Sequence, residues 1–230
     1  MFQAIGFDFD HTLGYDRQLE RRVLLDMLRH ERPAARPERS WEPLVDAALA
    51  EYRSGHLTQS AMLHRLFAHL DPLPDERHVA ALIETFLAES VARLPESLEP
   101  VPGARELLAR LTEMGVPTAI LTNGWSPLQQ RKAELLGYTG TVLVSDDLGV
   151  RKPDPRAFAA LAAALRTPAE GILYVGDSPE TDIVGARSAG MGAAWLASEG
   201  QVYDVSLPPP NLTIHALGEL LTVVPSLLYV

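Results

Sequence analysis

The first apolar run of the chain, Ala4-Ile5-Gly6-Phe7-Asp8-Phe9-Asp10-His11-Thr12-Leu13, closes on two carboxylates and a hydroxyl. Residues two apart in a strand share a face, so Asp8 and Asp10 stand together while Phe7 and Phe9 turn the other way. Two acids so placed repel each other unless a cation lies between them. The competing reading is a strand end followed by an Asx-type turn. The pattern D-x-D-x-T is short, and it takes its weight from its company along the chain. Three further stretches carry polar residues of the same kind: Leu121-Thr122-Asn123-Gly124, Lys152 before Pro153, and Gly176-Asp177-Ser178-Pro179-Glu180-Thr181-Asp182.

The elements needed to position these groups are legible from the residue pattern. Phe2 to Phe9 is a buried strand by its aromatic, apolar content. After Thr12 the periodicity becomes helical for about eighty residues. Leu19 to His30, Trp41 to Tyr52, Thr58 to Leu70 and Asp75 to Leu87 or beyond are helices. They are separated by Pro33 and Pro37, by Ser54-Gly55 and by Asp71-Pro72-Leu73-Pro74, with Ser40 as an N-cap candidate. Pro95, Pro100 and Pro102 mark Leu94 to Pro102 as a stiff return linker. Strands and helices then alternate. The strands are Val116 to Leu121, Thr141 to Val144, Gly171 to Val175, Gly192 to Leu196 and Leu212 to Ile214. Between and after them lie helices Ala104 to Met114, Pro127 to Leu136, Arg156 to Leu165, Glu180 to Ala189 and Ala216 to Leu221. Such alternation implies an α/β fold with a parallel sheet and right-handed crossovers. The expected division is residues 1–15 and 96–230 for the core, with an all-helical insert over 16–95. Residues 225–230 receive no assignment.

In open parallel sheets ligands bind beyond the carboxyl ends of the strands, and all four polar stretches fall at such ends or in adjoining loops. This ordered set resembles the haloacid dehalogenase-like hydrolase superfamily, whose members carry four such motifs on a Rossmann-like core. The helical insert resembles that superfamily's cap, which closes over the leaving group. The resemblance implies Mg²⁺ held by the Asp8 carboxylate, the Asp10 backbone carbonyl and the Asp177 carboxylate. It implies Asp8 as nucleophile, forming an aspartyl-phosphate, and Asp10 as acid and base. Thr122, Asn123, Gly124 and Lys152 would bind the phosphoryl group, Lys152 also balancing charge, and Asp182 would sit behind the metal, orienting bound water or a neighbouring donor. Asp10 separates the chain from the dehalogenases of the superfamily, which have another residue there because a halide leaving group needs no proton. His11 shapes the flap after Asp10, with substrate contact as the alternative, and Trp125 closes the top of the core, with packing on a base or sugar as the alternative. The stretch Leu121 to Gly137, with Gln129-Gln130-Arg131, is similar to nucleotide and sugar-acid phosphatases of the superfamily. Arg53, His56, His64 and Arg65, near the middle of the insert, read as ordinary solvated or packed residues, with substrate contact as the alternative.

Composition narrows the class of partner. A formal charge of −10 over 230 residues argues against general binding to nucleic acid or anionic membranes. The absence of cysteine excludes disulfides and thiolate sites. Met1 runs into the first strand without a leader-like segment, and no apolar run approaches a membrane span. The expectation is a soluble cytoplasmic phosphatase acting on a small phosphomonoester. The alternatives are a sugar-phosphate mutase or a non-catalytic module on the same fold. Nothing in the residue pattern sets an oligomeric state.

Overall fold

The computed structural model describes residues 2–31, 40–70 and 72–227, with side chains as far as Thr222. The chain divides into two compact units, residues 1–15 with 98–230, and residues 16–97. In chain order the first elements are β1 (Ala4–Phe7), β2 (Gly14–Tyr15), α1 (Leu19–His30), α2 (Glu42–Arg53), α3 (Gln59–Phe67) and α4 (Glu76–Ser97). There follow β3 (Glu99–Pro100), α5 (Ala104–Glu113), β4 (Thr118–Thr122), α6 (Leu128–Leu136), β5 (Thr141–Val144) and α7 (Ser145–Leu148). The last are α8 (Pro155–Leu165), β6 (Ile172–Gly176), α9 (Val184–Ser188), β7 (Gly192–Leu196), β8 (Leu212–Ile214) and α10 (Gly218–Leu227).

Six strands form one parallel sheet in the order β5-β4-β1-β6-β7-β8. All four β1 residues are buried, as a central strand covered on both faces requires. Alternation sorts the side chains into two layers. Ile5, Phe7, Leu173 and Val175 pack with Leu107 and Leu111 of α5 and Leu217 and Leu220 near α10. Ala4, Ile172 and Tyr174 face Phe158 and Leu161 of α8 and Ala186 of α9. Strand order reverses around β1, so the carboxyl ends of β1, β4 and β6 open onto one crevice.

Several boundaries differ from those the sequence suggests. The first strand covers only Ala4–Phe7, which leaves Asp8 and Asp10 beyond its end. Helix α4 runs through Pro95 to Ser97 instead of stopping before a linker. Buried Leu82, Phe86, Ser90 and Leu94 recur at four-residue spacing along one stripe, and that packing outweighs the backbone hydrogen bond a proline removes. Glu99–Pro100 then pairs antiparallel with Gly14–Tyr15. The residue at the N-cap of α2 is Trp41, and the Ser40 hydroxyl donates instead to Glu42 Oε2 at 2.7 Å. The helix read as Glu180 to Ala189 is a π-helical turn, Pro179–Ile183, leading into α9. Helix α10 continues to Leu227. Pro33, Pro37, Asp71 and residues 228–230 lie outside the described residues. Among the described residues no helix is long and apolar enough to cross a membrane.

Phe7 is fully buried between the sheet and its covering helices. Phe7→Ala is expected to lower unfolding free energy by about 3–5 kcal/mol, whereas Leu73→Ala, at a side chain 71% exposed, should change it by less than about 0.5 kcal/mol. Urea titrations followed by circular dichroism compare the two; similar losses would contradict this assignment of the core.

Candidate active site

The crevice at the strand ends is built around a buried lysine. Lys152, 4% exposed, reaches Asp8 Oδ1 at 2.6 Å, Asp182 Oδ1 at 2.6 Å and the Tyr174 hydroxyl at 3.0 Å. An ammonium has three N–H donors, so these bonds use all of them. Asn123, just past β4, fixes the backbone of the same residue from both sides. Its Oδ1 accepts from Lys152 N at 2.9 Å and its Nδ2 donates to Lys152 O at 3.0 Å. Tyr174 in turn donates to Leu121 O at 2.8 Å. Asp182, wholly buried, also accepts from Ser178 N at 3.0 Å. Its close approach depends on Gly176, where a Cβ would stand 2.4 Å from Asp182 Cγ. Ser178 caps the π-helical turn, its hydroxyl accepting from Thr181 N at 3.3 Å.

Asp177 completes an acidic cluster. Carboxylate oxygens of Asp8, Asp177 and Asp182 lie within 4.8 Å of one another. Thr12 Oγ1 donates to Asp177 Oδ1 at 3.2 Å, and Trp195 Nε1 donates to the Asp177 carbonyl at 2.9 Å. Burial, followed by the Asp182 charge, raises the Asp177 carboxyl to about 6, against smaller opposing effects of His11 and Lys152. Burial also pushes Asp8 well above the ordinary carboxylate range, with Lys152 opposing and Asp182 and Asp177 adding to the rise. Burial works against the Lys152 charge, but Asp182 and Asp8 outweigh it and hold the ammonium well above the ordinary lysine range. Among the described hydrogen bonds, Oδ2 of Asp8 and Oδ2 of Asp177 accept none, while both oxygens of Asp182 are engaged. Hard oxygen donors that resist ionisation together and retain two unengaged oxygens fit a divalent cation.

Asp10 belongs to a different environment. Its side chain is 33% exposed and meets Lys132 Nζ at Oδ1, 2.7 Å away, and Gln129 Nε2 at Oδ2, 2.9 Å away. Both partners come from α6, three residues apart on one helix face. Gln129 lies against Gly124, where a Cβ would come within 2.5 Å of Gln129 Nε2. The acidic cluster therefore comprises Asp8, Asp177 and Asp182, with the Asp10 carboxylate turned toward α6. Of the phosphoryl donors named from sequence, Thr122 Oγ1 is buried without a hydrogen-bond partner. The Asn123 side chain is engaged with Lys152, and Gly124 N donates to Ser145 Oγ at 3.0 Å. His11 has φ 64° and meets Tyr15 edge to face, and Trp125 is 2% exposed. In the helical unit, His56 and His64 are paired locally with Ser54 and Ser60, and Arg65 with Glu51.

Lys132, Gln129 and Tyr174 escaped the sequence reading. Gln129 lay in a stretch singled out there, and Lys132 follows it at helical spacing. Their relation to Asp10 spans more than a hundred residues, and local pattern carries no sign of it.

The profile of the haloacid dehalogenase-like hydrolase family matches residues 2–190. A glyceraldehyde 3-phosphate phosphatase of Pyrococcus abyssi is 32% identical over 204 residues, 85% of this chain and 82% of that protein. The pyrimidine 5′-nucleotidase YjjG of Escherichia coli is 30% identical over 178 residues, 74% of each chain. The crystal structure of a 2-haloacid dehalogenase from Pseudomonas syringae pv. tomato superposes with a TM-score of 0.77 at 26% identity, covering 98% of this chain and 99% of that one. The chain belongs to the haloacid dehalogenase-like hydrolase family, among relatives that include a named phosphatase and a named nucleotidase.

Proposed function

We propose that the protein hydrolyses phosphomonoesters of small metabolites through an aspartyl-phosphate on Asp8. One observation carries the reading: two carboxylates two residues apart are held in different surroundings. Asp8 is buried on Lys152, whereas Asp10 is partly open and held from α6. A nucleophile and a separate proton carrier need such a division. Halide displacement needs no proton carrier.

In the first step an Asp8 carboxylate oxygen bonds to phosphorus as the ester P–O bond breaks. The bonding pair goes to the leaving oxygen, which takes a proton from Asp10. A water oxygen then bonds to phosphorus and gives its proton to Asp10, and the P–O bond to Asp8 breaks. Orthophosphate leaves and the Asp8 carboxylate is restored. The unpartnered Thr122 hydroxyl supplies a donor for a phosphoryl oxygen. Lys152 keeps Asp8 aimed and shares its charge. Asp8 and Asp177 would hold Mg²⁺, together with the Asp10 carbonyl that the family resemblance adds. Bound there, the ion would offset repulsion between a phosphate dianion and the incoming carboxylate. Asp182 would act from behind through Lys152 and Ser178 N. The names of the relatives point to nucleotide or sugar-phosphate-like substrates, and the lack of cysteine suits the cytoplasm.

Phosphate release from nucleotides, sugar phosphates, phosphoglycolate and aryl phosphates, with Mg²⁺ and with chelator, tests the reading. Metal-dependent turnover of one class supports it; silence across the panel removes it. Asp8→Asn, nearly isosteric, should cut turnover by roughly 10³-fold or more while leaving the circular dichroism unchanged. Near-normal activity would dismiss Asp8 as nucleophile. Asp10→Asn should lower kcat/KM for phenyl phosphate by about 10²-fold or more and spare the better leaving group of 4-nitrophenyl phosphate. Equal losses on the two esters count against Asp10 as the acid.

The acidic cluster also sets a pH dependence. Asp177 sits at about 6 in the fold, above the ordinary carboxylate value. The metal-free fold therefore binds this proton more tightly than the unfolded chain, and the stabilisation is lost as pH rises through about 6. Mg²⁺ competes with the same proton, so its stabilisation should be larger near pH 8 than near pH 5. At roughly 100 Kd of free ion it amounts to about 2.7 kcal/mol. Thermal melts with and without Mg²⁺ read this directly, and an equal shift at both pH values would argue against the carboxylate site.

A further inference from the structure

The acidic cluster and the phosphoryl donors leave Lys132 and Gln129 without a task, although both are buried at 1% and 4% exposure. A lysine withdrawn from water costs several kcal/mol unless a charge partner and hydrogen bonds offset it. Lys132 meets the Asp10 carboxylate at 2.7 Å. Gln129 takes the other oxygen at 2.9 Å, with its own Oε1 buried and unpartnered. The carboxylate is thus gripped at both oxygens from one helix face, and this fixes its rotation as well as its position. At 2% side-chain exposure, Lys132 is enclosed with its ammonium on the Asp10 carboxylate. The bond to Asp10 is the route by which Lys132 would act on the reaction.

We propose that Lys132 and Gln129 are positioning residues that hold the Asp10 carboxylate at the angle needed for proton exchange with the ester oxygen and with water. The inference rests on the phosphatase reading above and adds two residues to it. Each carboxylate oxygen has two lone pairs, so the grip leaves Asp10 room to carry the transferred proton. Gly124 takes part indirectly, since its missing side chain leaves the space that Gln129 occupies. The loop after β4 thereby serves both halves of the site, with Asn123 on Lys152 and Gly124 beside Gln129.

The test is the leaving-group dependence of kcat/KM, which reports the first phosphoryl transfer. Phenyl phosphate and 4-nitrophenyl phosphate are close in shape and differ mainly in how much the departing oxygen needs a proton. Lys132→Met should lower kcat/KM for phenyl phosphate by about 10- to 100-fold, the scale of an ångström's misplacement, and leave 4-nitrophenyl phosphate within about threefold. In an Asp10→Asn background the same substitution should cost nothing further, because its effect runs through the group already removed. Equal losses on both esters, or a loss in the double variant that multiplies the two single losses, overturn the proposal and reduce Lys132 to a tie between α6 and the turn after β1. Should Lys132→Met not fold, Gln129→Met removes a neutral partner of similar volume and is read the same way: selective loss supports the grip and uniform loss overturns it. A wild-type protein inert toward every ester of the panel overturns the phosphatase reading and the grip with it, whereas an active wild type with non-selective variants overturns the grip alone.

Discussion

The crevice depends on the Lys152 ammonium, buried where five pieces of chain meet. The end of β1 supplies Asp8, β6 supplies Tyr174, the π-helical turn supplies Asp182, the loop after β4 supplies Asn123, and the lysine itself comes from the loop before α8. Removing one partner of a buried pair leaves an uncompensated charge, typically at about 3–5 kcal/mol. The pieces that carry Asp8, Tyr174 and Asp182 are therefore held in register by the need to satisfy one cation, while Asn123 fixes the backbone of the lysine itself. Gly176 belongs to the same constraint, because any side chain there would displace Asp182.

Charge explains why the site divides in two. Asp8, Asp177 and Asp182 face a single ammonium. Fully ionised, three negative charges against one positive leave a surplus of two. Burial is the main cause of the upward shifts of Asp8 and Asp177, and that surplus adds to them. The surplus is also what a divalent cation would cancel. Asp10 stands outside this balance because it has a cation of its own in Lys132. Two acids two residues apart thereby answer to separate counter-charges. Their neighbours, more than their own chemistry, give them different surroundings.

Local pattern revealed the scaffold well and the supporting contacts poorly. Thr141–Val144, Gly192–Leu196 and Leu212–Ile214 are strands within the limits their apolar runs suggest, because a strand buried on both faces writes its composition into the sequence. Asp8, Thr122, Lys152 and Asp177 stood out because short polar motifs at strand ends recur in a fixed order. Pro95 misled, since tertiary packing along α4 outweighed a local breaker. Lys132 and Tyr174 gave no sign, one resembling a solvated helix lysine and the other a core aromatic. Each acquires its role from a partner brought near by sheet topology, at separations of 122 and 22 residues.

The turn after β1 keeps the two environments apart. Its backbone closes on the Phe9 carbonyl, which accepts from Thr12 N, Leu13 N and Gly14 N at 3.2, 2.8 and 3.1 Å. A coil that tight forces one residue into the left-handed region, and His11 takes it at φ 64°. That conformation costs a non-glycine residue about 1–2 kcal/mol. The return is directional. Before the reversal, Asp10 points toward Lys132 and Gln129; after it, Thr12 comes back to Asp177. The Asp10 carboxylate thus stays outside a cluster that already holds three acids. The strain at His11 is therefore part of the same electrostatic arrangement that Lys152 anchors.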